Sequence, residues 1–154
     1  MRILILVALF NLTSCSTNSI FRNIYEVEDT ETELQEFLLG EGIRDPGKVC
    51  GEFVPNEKGC FYLVKSSSKT NKASRLIYTN KNEMTIVLEK FDPPINFIYL
   101  NSYTNKEINS SKALPEKSVT LPIGINSVAL YYFEKSAVVF FWNGSKFDQI
   151  WIND

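Results

Sequence analysis

From residue 60 onward, eight short segments of one chemical type follow each other. They are "CFYLVK" (60–65), "SRLIYT" (74–79), "MTIVLEK" (84–90), "INFIYL" (95–100), "SVTL" (118–121), "SVALYYF" (127–133), "AVVFFW" (137–142) and "KFDQIWI" (146–152). Each is rich in β-branched and aromatic side chains and of strand length. Turn-forming residues punctuate them: Thr70-Asn71, Asn80-Lys81-Asn82, Asp92-Pro93-Pro94 and Asn143-Gly144. Consecutive strands with short links pair with their neighbours. The expected fold class is therefore mainly β: an antiparallel meander forming a curved sheet, sandwich or partial barrel, with one short N-terminal helix.

The helix is expected in "DTETELQEFLLGEG". Thr30 and Glu33 have the spacing of a capping box, and acidic side chains crowd the first turn, where the helix dipole favours them. Leu34, Phe37 and Leu38 fall on one face, and Gly40 or Gly42 can end the helix. So short a helix must dock its apolar stripe on something larger. Ile43 to Lys48, with Asp45-Pro46-Gly47, reads as a loop.

The final hairpin is the clearest local pattern. Asn143-Gly144 suits a two-residue type I′ turn, because both residues tolerate positive φ. That register sets Trp142 opposite Ser145 and Phe140 opposite Phe147. Val138, Phe140, Trp142, Phe147 and Trp151 then share a face expected in the core. Val139, Phe141, Ile150 and Ile152 occupy the other face, with Lys146 and Asp148; such a face is either covered by the helix, the expected case, or a binding surface.

Ahead of the β region lies a different kind of segment. Met1-Arg2 carries one positive charge, and Ile3 to Phe10 is an uninterrupted apolar run. It is too short to span a bilayer, which takes about 20 apolar residues. Followed by small residues, it reads as a secretory h-region. The next four residues, Leu12-Thr13-Ser14-Cys15, resemble the lipobox of bacterial lipoproteins: Leu, a small or hydroxyl residue, Gly/Ala/Ser, then Cys. The resemblance implies a diacylglycerol on the Cys15 sulfur, cleavage before Cys15, and acylation of its amine, with palmitate a typical chain. Several acyl chains anchor stably where one does not. Ser16 after the cysteine implies the outer membrane facing the periplasm in a Gram-negative host. The expected organisation is a lipoprotein signal peptide at 1–14, a lipid-anchored tether at 15–24 and a single β-rich domain at 25–154.

Two further cysteines remain, Cys50 and Cys60, in "CGEFVPNEKGC". An even pair outside the cytoplasm favours a disulfide. Pro55-Asn56 and Lys58-Gly59 can form a hairpin that brings the two residues together. Cysteines at this spacing, in a chain without histidine, cannot complete a four-ligand zinc site of Cys and His. No metal or other cofactor is expected.

The missing histidine also removes Ser-His-Asp and Cys-His nucleophiles. Neither a phosphate-binding GxxxxGK[ST] loop nor a GxGxxG fingerprint is present. Ser66-Ser67-Ser68-Lys69 matches S-x-x-K formally but sits in a polar stretch between strands. Asp92, Glu107, Glu116, Glu134 and Asp148 are scattered, and nothing in the sequence pairs them for acid–base work. The chain is not expected to be an enzyme.

Net charge is −2, which gives no reason to expect a nucleic-acid partner. The charge is unevenly placed, however. Glu26, Glu28, Asp29, Glu31, Glu33, Glu36, Glu41 and Asp45 are relieved only by Arg44, while Lys58, Lys65, Lys69, Lys72, Arg75 and Lys81 follow. Such asymmetry either steers a charged partner or is a solvated face. Small lipid-anchored β domains without catalytic residues resemble immunity proteins and periplasmic lysozyme inhibitors, an analogy of class alone. The expected partners are the membrane, through lipid on Cys15, and a protein of unspecified identity. The alternative expectation is a structural or assembly accessory of an envelope machine.

Overall fold

The structure is a computed structural model and describes residues 23–65, 73–81, 83–88, 97–111 and 117–152. Cys15, the lipobox and all but the end of the tether lie outside the described residues, as do Ser66 to Lys69, Asp92 and Glu116.

The chain is mainly β, with antiparallel sheets; among the described residues there is one α-helix and the sheets close no barrel. The first sheet is a simple meander: β1 (Lys48–Val54), β2 (Glu57–Lys65), β3 (Ala73–Thr79) and β4 (Met84–Leu88), paired in that order. The second has the order β10-β9-β8-β5, built from β5 (Ile98–Tyr103), β8 (Ser127–Tyr132), β9 (Ser136–Trp142) and β10 (Phe147–Ile152). Between β5 and β8 the chain makes a small excursion, the hairpin of β6 (Glu107–Asn109) and β7 (Ser118–Thr120).

The two sheets share one core. Phe53, Phe61, Leu63, Leu76 and Tyr78 come from the first, and Ile98, Leu100, Val128, Leu130, Val138 and Phe140 from the second. Alternation along each strand selects these residues for the inner face. Phe53, Phe61, Tyr78 and Phe147 form an aromatic cluster with centroids 4.8 to 6.3 Å apart, spacings that favour edge and tilted contacts. At one side the sheets are tied by backbone bonds: Leu100 N–H donates to Pro46 O at 2.7 Å and Asn126 N–H to Glu52 O at 2.8 Å.

The outer face of the second sheet is also covered, in two parts. The β6–β7 hairpin lays Ile108 and half-buried Val119, with Leu121 just beyond β7, over Val139, Phe141, Ile150 and Ile152. The helix α1 (Thr32–Gly40) sets Leu34 and Leu38 against Tyr99, with Tyr131 and Phe133 beside them. The face expected under the helix is thus covered by a hairpin, and the helix sits over the β5–β8 end.

α1 begins later than its sequence pattern suggests. Its N-cap is Glu31, and Thr30 instead donates its hydroxyl to Val27 O at 2.6 Å, closing the 3₁₀ turn Val27–Asp29. The C-terminal end is a Schellman motif. Gly42, at φ +73°, donates to Leu39 O, and Ile43 donates to Leu38 O at 2.8 Å. Ile43 packs against the same small cluster as Leu38, the apolar contact that accompanies this motif.

The last hairpin keeps its expected faces but not its expected register. Phe147 faces Trp142 and Gln149 faces Phe140. The tip is therefore centred on Gly144-Ser145, one residue further along. Every facing pair moves by two residues, an even shift, so inner side chains stay inner. The cause is the Asn143 side chain. Its carbonyl oxygen accepts the amides of Ser145 at 3.1 Å and Lys146 at 3.0 Å, which keeps Asn143 as a flank and leaves Gly144 alone at positive φ. Trp151, expected in the core, is 41% exposed: it lies at the rim on the edge strand β10 and stacks on Tyr132.

Candidate functional site

The acidic segment gathers around a cleft of about 600 Å³ lined by Tyr25, Val27, Gln35 and Leu39, with Glu26, Glu28, Arg44, Asp45 and Lys48 at its charged positions. Its floor is fixed by backbone pairing. Tyr25 N–H donates to Leu63 O at 2.9 Å and Ile24 bridges Val64, so this segment continues the line of β1 alongside β2. Gly47 lies so close to the Tyr25 backbone that any Cβ there would collide with it. Asp29 locks the 3₁₀ turn: its carboxylate accepts the Glu26 amide at 2.9 Å and the Lys65 ammonium at 2.7 Å. Burial, with Asp29 and Glu31 nearby, pushes the Tyr25 phenol well above its ordinary value, so it stays neutral.

Of the eight carboxylates noted in the sequence, Asp29 is half-buried and committed to Lys65. Glu26, Glu28, Glu31, Glu33, Glu36, Glu41 and Asp45 are exposed. From the basic group, Lys65 is drawn to this face, while Lys58 and Lys81 line a separate depression with Asn56, Glu57 and Asn80. Lys69 and Lys72 lie outside the described residues.

A second cleft, of about 520 Å³, opens between the β6–β7 hairpin and the β9–β10 tip. Its walls are largely apolar: Pro55, Val119, Leu121, Pro122, Ile125, Phe141 and Trp142. Asp148 is the one charged side chain lining it. That carboxylate accepts the Gln149 amide at 2.9 Å and the Lys117 ammonium at 3.2 Å, and Lys117 also lies over the Phe141 ring. The Gln149 amide does most to hold the Asp148 carboxyl below its ordinary value; partial burial opposes this, and Lys117 adds to the lowering. The sequence gives little warning of this cleft, because its walls come from three separated segments. The one signal was Ile123, a branched apolar residue set between Pro122 and Gly124 where turns are normally polar.

Cys50 and Cys60 are facing residues of β1 and β2, with Cα atoms 4.0 Å apart and their sulfurs at bonding distance. Glu134 sits at φ +59° in the β8–β9 turn, and Glu107 is exposed at the start of β6. Among the described residues no cluster of three His, Cys, Asp or Glu is placed to hold a metal ion, and no helix is long and apolar enough to cross a membrane.

These features define a small antiparallel β domain whose described surface includes a charged cleft beside the acidic segment and a largely apolar one. Comparison with protein families, curated proteins and solved structures finds no match to the chain.

Proposed function

We propose that this chain is a small envelope lipoprotein, anchored by lipid on Cys15 and non-catalytic, whose domain binds and neutralises a protein in the manner of an immunity protein. The observation that supports it most is the acidic face. Seven exposed carboxylates fall within a stretch of some twenty residues, and three of them, Glu26, Glu28 and Asp45, line one cleft together with Arg44 and Lys48. Their field attracts a basic surface and orients it during encounter. Leu39, an exposed apolar member of the cleft, supplies area to bury once the surfaces meet.

The test is capture by the full chain at low and high salt, alongside a Glu28→Lys/Glu36→Lys variant. A basic protein should be retained by the parent chain at low salt and released as exposed charges are screened. The variant should retain far less. Retention of a sugar or lipid in place of a protein, or retention indifferent to the charge reversal, overturns the reading. The anchor has its own test. Labelled palmitate should enter the parent chain and not Cys15→Ala, and equal labelling of both would remove the lipoprotein from the proposal.

A further inference from the structure

Cys50 and Cys60 point away from the core. They alternate with the buried residues Val49 and Phe61, and so lie on the outer face of the first sheet. Cys50 is exposed there and Cys60 half-buried. An attacking thiolate can reach such a bond, and exposed disulfides belong with the labile and regulatory kind.

The neighbours on that face suit exchange. Residues two apart on a strand share a face, which sets Lys48 and Tyr62 on one side of the pair and Glu52 and Lys58 on the other. The Lys48 ammonium lies over the Tyr62 ring at 5.9 Å, and the Glu52 carboxylate accepts the Asn56 amide at 3.1 Å. Lys58 is exposed and makes no ion pair among the described residues. Cations beside a cysteine favour its thiolate, which speeds its departure as a leaving group. They also attract an anionic thiol.

The strand that carries Cys50 also holds the two sheets together. Pro46 O, just ahead of β1, accepts Leu100 N–H at 2.7 Å, and Glu52 O, two residues past Cys50, accepts Asn126 N–H at 2.8 Å. Cys50 lies between these two ties.

We propose that the Cys50–Cys60 bond is a thiol–disulfide exchange site, reduced in the folded protein by a dithiol, and that its reduction loosens β1 from the second sheet. A thiolate of the dithiol attacks Sγ of Cys50, the more exposed sulfur. The S–S bond breaks and its electron pair leaves on Cys60 Sγ, on the strand face shared with Lys58. The second thiol of the dithiol, deprotonated, attacks the mixed disulfide and releases the Cys50 thiolate. Two electrons pass to the chain, the dithiol departs as a disulfide, and the two protons it gives up are taken by Cys50 and Cys60. The site draws on neither the acidic cleft nor the lipid anchor.

The full chain, treated with dithiothreitol or reduced glutathione, quenched with an alkylating reagent and read by mass at both cysteines, tests this. Before reductant is added neither residue should alkylate; alkylation at that stage removes the bond and the proposal with it. Reduction should then proceed at a rate that urea leaves unchanged below the unfolding transition. Lys48→Gln/Lys58→Gln should slow attack by glutathione, an anion, roughly three- to tenfold at low salt and less at high salt. On reduction, amide hydrogen exchange should rise at Leu100 and Asn126 and stay unchanged within the β8–β9 ladder. A bond that yields only as urea unfolds the chain, a lysine variant reduced at the parent's rate, or unchanged exchange at both amides overturns the proposal.

Discussion

The Tyr78 hydroxyl is seated directly over Gly59, so closely that a methyl group at residue 59 would overlap the phenol ring. The two meet on the inner face of the first sheet, where Tyr78 is 2% exposed and its oxygen has no hydrogen-bond partner among the described residues. Burial, with Glu57 and Glu83 adding to it, raises the phenol above its ordinary value and keeps it neutral. Gly59→Ala should therefore destabilise the domain by about 1 to 3 kcal/mol through overpacking. Tyr78→Phe should be neutral, or stabilising by up to about 1 kcal/mol, because it deletes a buried oxygen without a partner. Urea unfolding of both variants checks the pair, and a strongly destabilised Tyr78→Phe would contradict this account.

The β1–β2 pairing carries a second expectation. Cys50 and Cys60 close a loop with a sequence separation of 10. Their bond should contribute about 2 to 3 kcal/mol, chiefly by restricting the unfolded chain. Cys50→Ala should lower the unfolding midpoint accordingly, and reduction should add nothing further to that variant. Alkylation of the unreduced parent chain at either residue, read by mass, would show the thiols free.

Docking of α1 rests on few side chains. Leu34 and Leu38 are fully buried, while Phe37 meets Tyr99 and Phe133 only at the margin. Leu38→Ala should cost about 2 to 5 kcal/mol, and Leu39→Ala, on the exposed side, well under 1 kcal/mol. Gly42→Ala should cost about 1 kcal/mol, because the Schellman end needs its positive φ. Thermal melts followed by circular dichroism separate the three.

Acid should weaken the fold in part through Asp148. Its folded-state pKa lies below the ordinary value of 3.8, so its contribution is fully present above the unfolded value and is lost as pH falls through the folded one. The side chain is 39% exposed, and solvent screening limits the effect to no more than about 1 kcal/mol. Asp148→Asn should lose that contribution, no more than about 1 kcal/mol, at neutral pH, and should flatten the stability profile below pH 4 or so, where the two proteins converge. A profile with the same slope in both proteins would assign the acid sensitivity elsewhere.

The sequence made the strands legible wherever alternation and bulk coincide, as in β3, β8, β9 and β10. It concealed β1, since Lys48–Val54 carries Gly51 at mid-strand and offers only Val49, Phe53 and Val54 as apolar markers. Three-residue β6 is too short for any period to register. The hairpin tip was misplaced by one residue because backbone preference for Asn-Gly competes with side-chain capping by Asn143, and capping won. Thr30 lost its capping role to the tighter 3₁₀ turn before it. For the candidate sites, local reading found the acidic charges because they are contiguous. It missed the apolar cleft because Pro55, Leu121 and Trp142 meet only through long-range pairing.

The excursion between β5 and β8 also governs the order in which the domain assembles. The first sheet is made entirely of neighbours in sequence and can form hairpin by hairpin. The second cannot: Tyr103 must wait for Ser127, and β5 stays unpaired until β8 arrives. Closing that loop costs more entropy than closing any hairpin of the first sheet, and chains whose contacts are distant in sequence fold more slowly. Kinetically, the first sheet is the template and the β5–β8 ladder the latch. Leu130→Ala in β8 should therefore slow refolding more than Leu76→Ala in β3, relative to their effects on stability.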